Sequence, residues 1–228
     1  MSTASPAEVP IVIVERHACF RRAVFFLVLL MLVCFAPGLV VAGELDEGVL
    51  AAEQGDYEKA LRVFSPLAEA GNAEAQHNLA ILYRGGHGVA KDLDKSRHWF
   101  LHAAEQGIAA AQYNLGYMYD TGEGVEQSDR YAFLWYRKAA EQGHSLAQTN
   151  LGVMYANGSG VAQDLDLAYV WFNLAAAQGY AAAFQNRQVL AEEFTEEKRK
   201  ALRVLSREYF QKYVMPFQNQ GMMRRPRR

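Results

Sequence analysis

His98 and His102 stand four residues apart, a spacing at which two imidazoles on one helix can chelate a divalent metal, and His87 precedes them by eleven residues. No cysteine, Glu-His pair or further histidine completes a tetrahedral set, and Trp99 between them belongs to a packing stripe, so no metal site is assigned. Gly85-Gly86-His87-Gly88 and its counterparts could face a phosphate, but they lack the lysine and hydroxyl of a phosphate loop and read as turns. No G-x-S-x-G elbow occurs, and no serine is followed three residues later by lysine, so the common acylating arrangements are missing. Asn157-Gly158-Ser159 is formally a glycosylation acceptor but falls inside a turn. The chain reads as a non-enzyme without a cofactor, and its chemistry must be that of recognition.

The elements that would position such recognition are set by one phrase of 36 residues said three times between Ala73 and Gly179. Ala75-Gln76, Ala111-Gln112 and Ala147-Gln148 begin the copies, followed at the same interval by Leu79, Leu115 and Leu151 and by Tyr83, Tyr119 and Tyr155. Gly88-Val89, Gly124-Val125 and Gly160-Val161 hold the middle; Trp99, Trp135 and Trp171 come next, and Gly107, Gly143 and Gly179 close each copy. A fixed period of this length marks stacked supersecondary units.

Two helices are legible in each copy. The first covers about Ala73 to Arg84, with Ala75, Leu79, Leu82 and Tyr83 on one face and Asn72 as its cap. Glycines reverse the chain. The second opens at Asp92, Ser128 or Asp164 and presents Trp99, Ala103 and Ala104 or their equivalents. Small residues let the backbones approach, Gly116 and Gly152 replacing Ala80 at one contact, while one tyrosine and one tryptophan per unit are expected to fill the space between.

These readings divide the chain into a signal peptide or uncleaved anchor at 1–42, a degenerate first repeat at 44–71, and repeats at 72–107, 108–143 and 144–179. Capping helices are expected over 180–215, with Thr195 starting the second and Leu202, Leu205, Tyr209 and Tyr213 as its apolar stripe; a disordered basic tail follows at 216–228. Ala23 to Ala36 is an unbroken apolar run behind Arg21-Arg22, ended by Pro37-Gly38, and Val40-Val41-Ala42 offers a signal-peptidase site before Gly43. That pattern points to export into the periplasm or beyond. The rival is an inner-membrane anchor over 23–42, which would leave the chain membrane-associated. Cys19 and Cys34 both fall in this segment, so a mature chain carries no thiol, as suits an oxidising compartment. Beyond residue 42 there are 20 basic and 23 acidic residues, and four of the basics lie in the last five positions. The acidic repeat body that remains repels phosphate backbones, which argues against a nucleic-acid partner.

The stretch AAAQYNLGYMYDTGEGVEQSDRYAFLWYRKAAEQG, Ala109 to Gly143, closely resembles a Sel-one-like repeat, a relative of the tetratricopeptide repeat. The resemblance implies an all-α fold, an α/α solenoid of stacked helix-turn-helix units, and a role in holding a protein or peptide partner. Its exported bacterial members act as adaptors, envelope assembly factors or regulators of membrane sensors. A cysteine-rich branch of the family carries a disulfide in every repeat, and this chain departs from it.

In the related tetratricopeptide fold the first helices line a concave groove. Carried over by register, that groove comprises Glu74, His77, Asn78, Ile81 and Arg84, then Ala110, Tyr113, Asn114, Tyr117 and Asp120, then Leu146, Thr149, Asn150, Val153 and Ala156. Tyr113 and Tyr117, one turn apart, are the candidate anchors, since rigid aromatics bury much area with little rotamer entropy. The recurring Asn78, Asn114 and Asn150 could clamp a peptide backbone or serve the repeat's own hydrogen bonding. Arg84 and Asp120 could steer charged ligands or only keep the surface solvated. The leading expectation is a non-catalytic scaffold of the bacterial envelope. The alternatives are a hydrolase of cell-wall or β-lactam substrates, suggested by distant relatives alone, and a membrane-tethered scaffold.

Overall fold

The computed structural model describes residues 37–218, with side chains from residue 43 onward. The chain divides into two compact units, Met1–Glu44 and Leu45–Arg228, and of the first only the opening of α1 is described. The expected signal or anchor segment therefore lies outside the described residues up to Ala36, and its last six residues begin α1, Pro37–Glu53, which runs on through Ala42 and Gly43. No helix among the described residues is long and apolar enough to cross a membrane.

Nine further helices follow: α2 Tyr57–Glu69, α3 Ala73–Gly85, α4 Leu93–Glu105, α5 Ala109–Thr121, α6 Asp129–Glu141, α7 Ser145–Asn157, α8 Leu165–Ala177, α9 Ala181–Glu193 and α10 Glu196–Tyr213. No strand occurs among the described residues. Each helix from α2 to α8 packs on the next, which is the stacking of an α/α solenoid. The helices start where capping chemistry allows. Asp56, Asn72, Asp92, Ser128, Asp164 and Thr195 each accept a backbone N–H three residues on, relieving an orphan donor of the first turn. The first helices end at Gly86, Gly122 and Gly158, all left-handed at φ 69°, 74° and 74°. A second glycine two residues later serves close approach as well as conformation. A methyl on Gly88 would strike the Tyr57 backbone, one on Gly124 the Leu93 side chain, and one on Gly160 the Asp129 backbone. Each turn is thereby seated on the start of the previous unit's second helix.

The core corrects one expectation. Trp99 and Trp135 are half-buried, as are Tyr83, Tyr119 and Tyr155. The aromatics that fill the space between helices are instead Phe100, Tyr136 and Phe172, one residue after each tryptophan and at most 2% exposed. A Cβ on Gly116 would lie 2.5 Å from the Tyr136 ring, and one on Gly152 would lie 2.6 Å from the Phe172 ring, so the missing side chains make room for those rings. Burial of such a ring stabilises by about 2–3 kcal/mol.

A buried amide ladder ties the units together. Gln76, Gln112 and Gln148 donate to the carbonyls of Ala68, Ala104 and Ala140 at 3.1, 3.0 and 3.1 Å. Their own side-chain oxygens accept from Gln106, Gln142 and Gln178 at 2.7, 2.7 and 2.8 Å. The Ala-Gln and Glu-Gln-Gly or Ala-Gln-Gly ends of the phrase are thus two halves of one clamp, made three times.

The end of the chain breaks the rule. α9 packs on α8 as a first helix should, but α10 also packs on α8. The ring of Trp171 meets Tyr209 and Tyr213 of α10 at centroid distances of 5.7 and 5.5 Å, and Trp171 alone of its three counterparts is buried. The tail expected to be disordered from 216 instead opens with a helical turn over 215–218, in which Phe217 and Gln218 donate to the Val214 carbonyl. Proline at 216 sits inside that turn, where an N–H is not required. Residues 219–228 lie outside the described residues.

Candidate functional site

The first helices α3, α5 and α7 meet side by side through side chains, and the predicted groove residues fall on this face in two sets. The first set is a polar and aromatic network. Arg84 Nε and Nη2 donate to Glu123 Oε2 at 3.0 and 2.6 Å, and Arg84 Nη1 donates to Asn114 Oδ1 at 3.2 Å. The same guanidinium lies 4.8 Å over the Tyr117 ring. Asn114 Nδ2 donates to the Ala110 carbonyl at 2.9 Å and stands 3.4 Å from His77 Nε2. His77 in turn packs on Phe100, their ring centroids 5.7 Å apart.

One unit along, Tyr113 stacks on His144 at 4.8 Å and leans on Tyr136 at 5.8 Å. The Tyr136 hydroxyl donates to Asp120 Oδ2 at 3.1 Å and also hydrogen-bonds Asn150. Burial, and then the Asp120 charge, push that phenol far above its ordinary range. Burial lowers the pKa of His77 against the opposing pull of Asn78 and Glu74, and burial together with the His77 charge takes His144 down to about 4. Both imidazoles are therefore neutral at pH 7. His144 uses its Nδ1 to accept the Ala147 N–H at 3.3 Å, which makes it the cap of α7.

This wiring decides what each predicted residue can offer. Tyr113 and Tyr117 are half-buried and already engaged, one with His144 and one with Arg84. Arg84 is already paired with Glu123, and Asp120 already accepts from the Tyr136 hydroxyl. Thr149 is buried and donates to the Ser145 carbonyl at 2.9 Å, so its hydroxyl is not presented to a partner. The three asparagines share a register but not a partner: Asn78 bonds His77, Asn114 bonds Arg84 and Ala110, and Asn150 bonds Tyr136.

The second set is a row of apolar side chains. Ile81 and Val153 are 41% and 38% exposed, and Tyr117 lies between them in register. The sequence reading stopped there, but the same interval reaches Val189 on α9, 62% exposed, and Asn186 beside it. At the other end Val49 of α1 shares with Ile81 an apolar pocket of about 330 Å3 over Phe64. Sequence reasoning also missed Glu123 and His144. Glu123 was hidden in a glycine turn, and His144 occupies the position before a first helix, where Asn72 looked like a cap and nothing more.

Chemically, the histidines offer little else. His98 and His102 touch ring to ring at 4.5 Å, whereas His87 stacks on Tyr57 at 4.6 Å. Among the described residues no group of three or more His, Cys, Asp or Glu could hold a metal ion.

The family model of the Sel1 repeat matches residues 73–108, 109–144 and 145–180. Among solved structures, a Sel1 repeat protein from Oxalobacter formigenes is similar with a TM-score of 0.60 and 34% identity, over 62% of this chain and 58% of that one. The structure of c5321, a protective antigen present in uropathogenic Escherichia coli strains displaying an SLR fold, is similar with a TM-score of 0.52 and 29% identity, over 82% of this chain and 49% of that one. The chain thus spans about half to three-fifths of the length of these two structures. A search of curated proteins gave no match.

Proposed function

Residues 73–180 are three Sel1 repeats, and from that premise we propose that the chain is a non-catalytic scaffold which holds an extended, apolar-bearing segment of a protein partner along its first helices. Proteins built of such repeats typically serve as protein-interaction scaffolds. The observation that carries the reading is the row Ile81, Tyr117, Val153 and Val189, one apolar side chain per unit at an interval of 36 residues and in contact with solvent. A soluble surface gains nothing from aligning apolar groups in this way, whereas a partner seated on them removes the whole row from water. Packed helices lie about 8–10 Å apart, and an extended chain advances about 3.3 Å per residue. A partner with an apolar side chain at about every third residue matches that pitch. The face is prebuilt, since Arg84 is held by Asn114 and Tyr113 by His144, so little ordering entropy is lost on binding.

Export to the periplasmic side of the envelope belongs to the same proposal. Its support is Arg21-Arg22, the apolar run to Ala36 and the small residues before Gly43. Amino-terminal sequencing of the protein recovered from the envelope reads this directly: a chain beginning at Gly43 supports it, and a retained anchor makes the scaffold membrane-tethered.

The groove is tested by placing a photo-crosslinking residue at Ile81, Val153 or Val189, or at the exposed Arg130 on a second helix, in the native host. One and the same partner captured from the three row positions, and lost when Val153→Ser and Val189→Ser are combined, is the expected result. Equal capture from Arg130, or capture indifferent to the double substitution, would show that the partner sits elsewhere.

A further inference from the structure

Basic residues are scarce in the repeats and concentrated after them. Residues 43–180 hold nine basic and eighteen acidic side chains, whereas residues 181–218 hold seven basic against five acidic. Four of those seven, Arg187 of α9 and Arg199, Arg203 and Arg207 of α10, line one cleft of about 660 Å3. The cleft exists because α10 lies on α8 and not against α9, so the space a partner helix would fill in a regular unit is left open between them. Arg199, Arg203 and Arg207 follow at four-residue spacing and so share one helix face. The floor is apolar, with Leu174 and Phe210 among its residues.

The charges in this cleft are not balanced. Glu196 is its sole carboxylate, accepting from Arg203 Nη2 at 2.9 Å and pairing with Arg199 Nη2 at 3.0 Å. Arg187 Nη1 donates to Asn173 Oδ1 at 2.7 Å, a neutral partner, and Arg199 Nη1 caps the Ala191 carbonyl at 3.1 Å. Arg199 Nε is buried with no acceptor. Arg207 has neither an ion pair nor a hydrogen bond among the described residues. Four guanidiniums against one carboxylate leave three positive charges around an open cleft, beside repeats that are acidic. Like charges held together are unfavourable unless something neutralises them, and an unmatched buried donor costs about 1–3 kcal/mol.

We propose that this cleft binds a phosphomonoester: a dianionic phosphoryl group held by the guanidiniums of Arg187, Arg203 and Arg207, with its organic body resting on the apolar floor. Three acceptor oxygens and nearly two negative charges suit planar forked donors better than a single carboxylate does. The volume falls in the range of small-molecule sites, about 300–1,000 Å3, and leaves room for a ring or short acyl chain. Phosphate on a soluble ester and phosphate at a lipid headgroup share this chemistry. The cleft is independent of the apolar row, so either reading can fail alone.

Titration calorimetry on the full chain with phenyl phosphate, with phenol, and with vesicles of phosphatidylcholine with or without phosphatidic acid separates the cases. Phenyl phosphate or phosphatidic acid is expected to bind, phenol and plain phosphatidylcholine are not, and added salt should weaken the interaction. Binding of phenyl phosphate names a soluble ester as the source; binding confined to phosphatidic acid names the lipid. The variant Arg203→Gln/Arg207→Gln, which leaves the Arg199 cap in place, should lose affinity at least about tenfold, one tenfold step being 1.4 kcal/mol. Arg130→Gln/Arg137→Gln on α6 should not. Unchanged circular dichroism shows that the variants fold. Absence of binding by both phosphate probes, equal binding of phenol, or equal loss in the α6 variant would overturn the proposal.

Discussion

Trp135 and Trp171 occupy the same place in the repeated phrase and live in different surroundings. Around Trp135 the second helix α6 turns one side of the indole to solvent, with the Lys138 ammonium 4.1 Å over the ring. Around Trp171 the helix α10 covers that side, and Tyr209 and Tyr213 close on the ring. The repeat dictates where the side chain starts, but the neighbour dictates whether water reaches it. The same contrast separates the regular units from the cap at the cleft. In the units Ala80, Gly116 and Gly152 lie beneath an aromatic ring of the following helix; the register equivalent on α9 is Gln188, exposed and lining the cleft, because no helix folds over it.

The widest expected gap is between the two tryptophans. Trp171→Ala removes a buried ring from the junction of α8 and α10 and should cost about 3–5 kcal/mol. Trp135→Ala, losing a half-solvated ring, should cost about 1 kcal/mol, the centre of ordinary substitutions. Urea unfolding of both variants checks this, and equal losses would mean that α10 does not cover the last unit as described. The two midpoints report on the cap itself, since α10 is what distinguishes the sites.

Much of this was readable beforehand. The interval of 36 residues located every helix pair from α3 to α8, because caps at Asp92, Ser128 and Asp164 and turns at Gly86, Gly122 and Gly158 are local chemistry. Which aromatic of the pair Trp99-Phe100 goes inside was not readable. Adjacent residues on a helix differ by about 100° in direction, and the packing of α5 against α4 decides between them. The network at the first helices was half visible. Arg84 and Asn114 stood out, but Glu123 and His144 join them from 39 residues along the chain or from a capping position. The basic face of α10 drew no expectation from the sequence, since nothing in its own residues says that α9 would stay apart.

A smaller difference sets the amide ladder against Gln188, a glutamine of the cleft that takes no part in it. Gln112→Ala removes the acceptor of Gln142 and leaves the Ala104 carbonyl without its side-chain donor, both largely out of water. That should cost about 1–3 kcal/mol. Gln188→Ala, in a cleft where no clamp forms, should fall within about 0.5 kcal/mol of the parent. Amide hydrogen exchange sharpens the test, because Gln112→Ala should raise opening rates in α4 and α5 while α9 stays as it was. A uniform rise along the whole solenoid would show that the units do not have separable stabilities.

The smallest effect concerns protons, and its sign follows from burial. His144 has a folded pKa of about 4, and His77 is also held below its ordinary value, so the native first-helix face favours neutral imidazoles. An unfolded chain takes up those protons near pH 6.5. Stability from this source is complete above that pH and is lost as the pH falls from about 6.5 to about 4, where His144 itself charges. Asp92 and Glu196, held low by hydrogen bonds to Lys95 and Arg203, are lost only further down, in and below the carboxylate range. The histidine window is therefore separate. With His144 still partly solvated, the loss across it is on the order of 1–2 kcal/mol. The cap contains no histidine, so the change should be confined to the repeats. His144→Asn keeps a capping side chain on α7 and removes one titrating group, and urea midpoints between pH 7 and pH 4.5 should fall less in that variant than in the parent. If the two curves run parallel, His144 is not held neutral by its surroundings, and the Tyr113–His144 stack is looser than its 4.8 Å spacing implies.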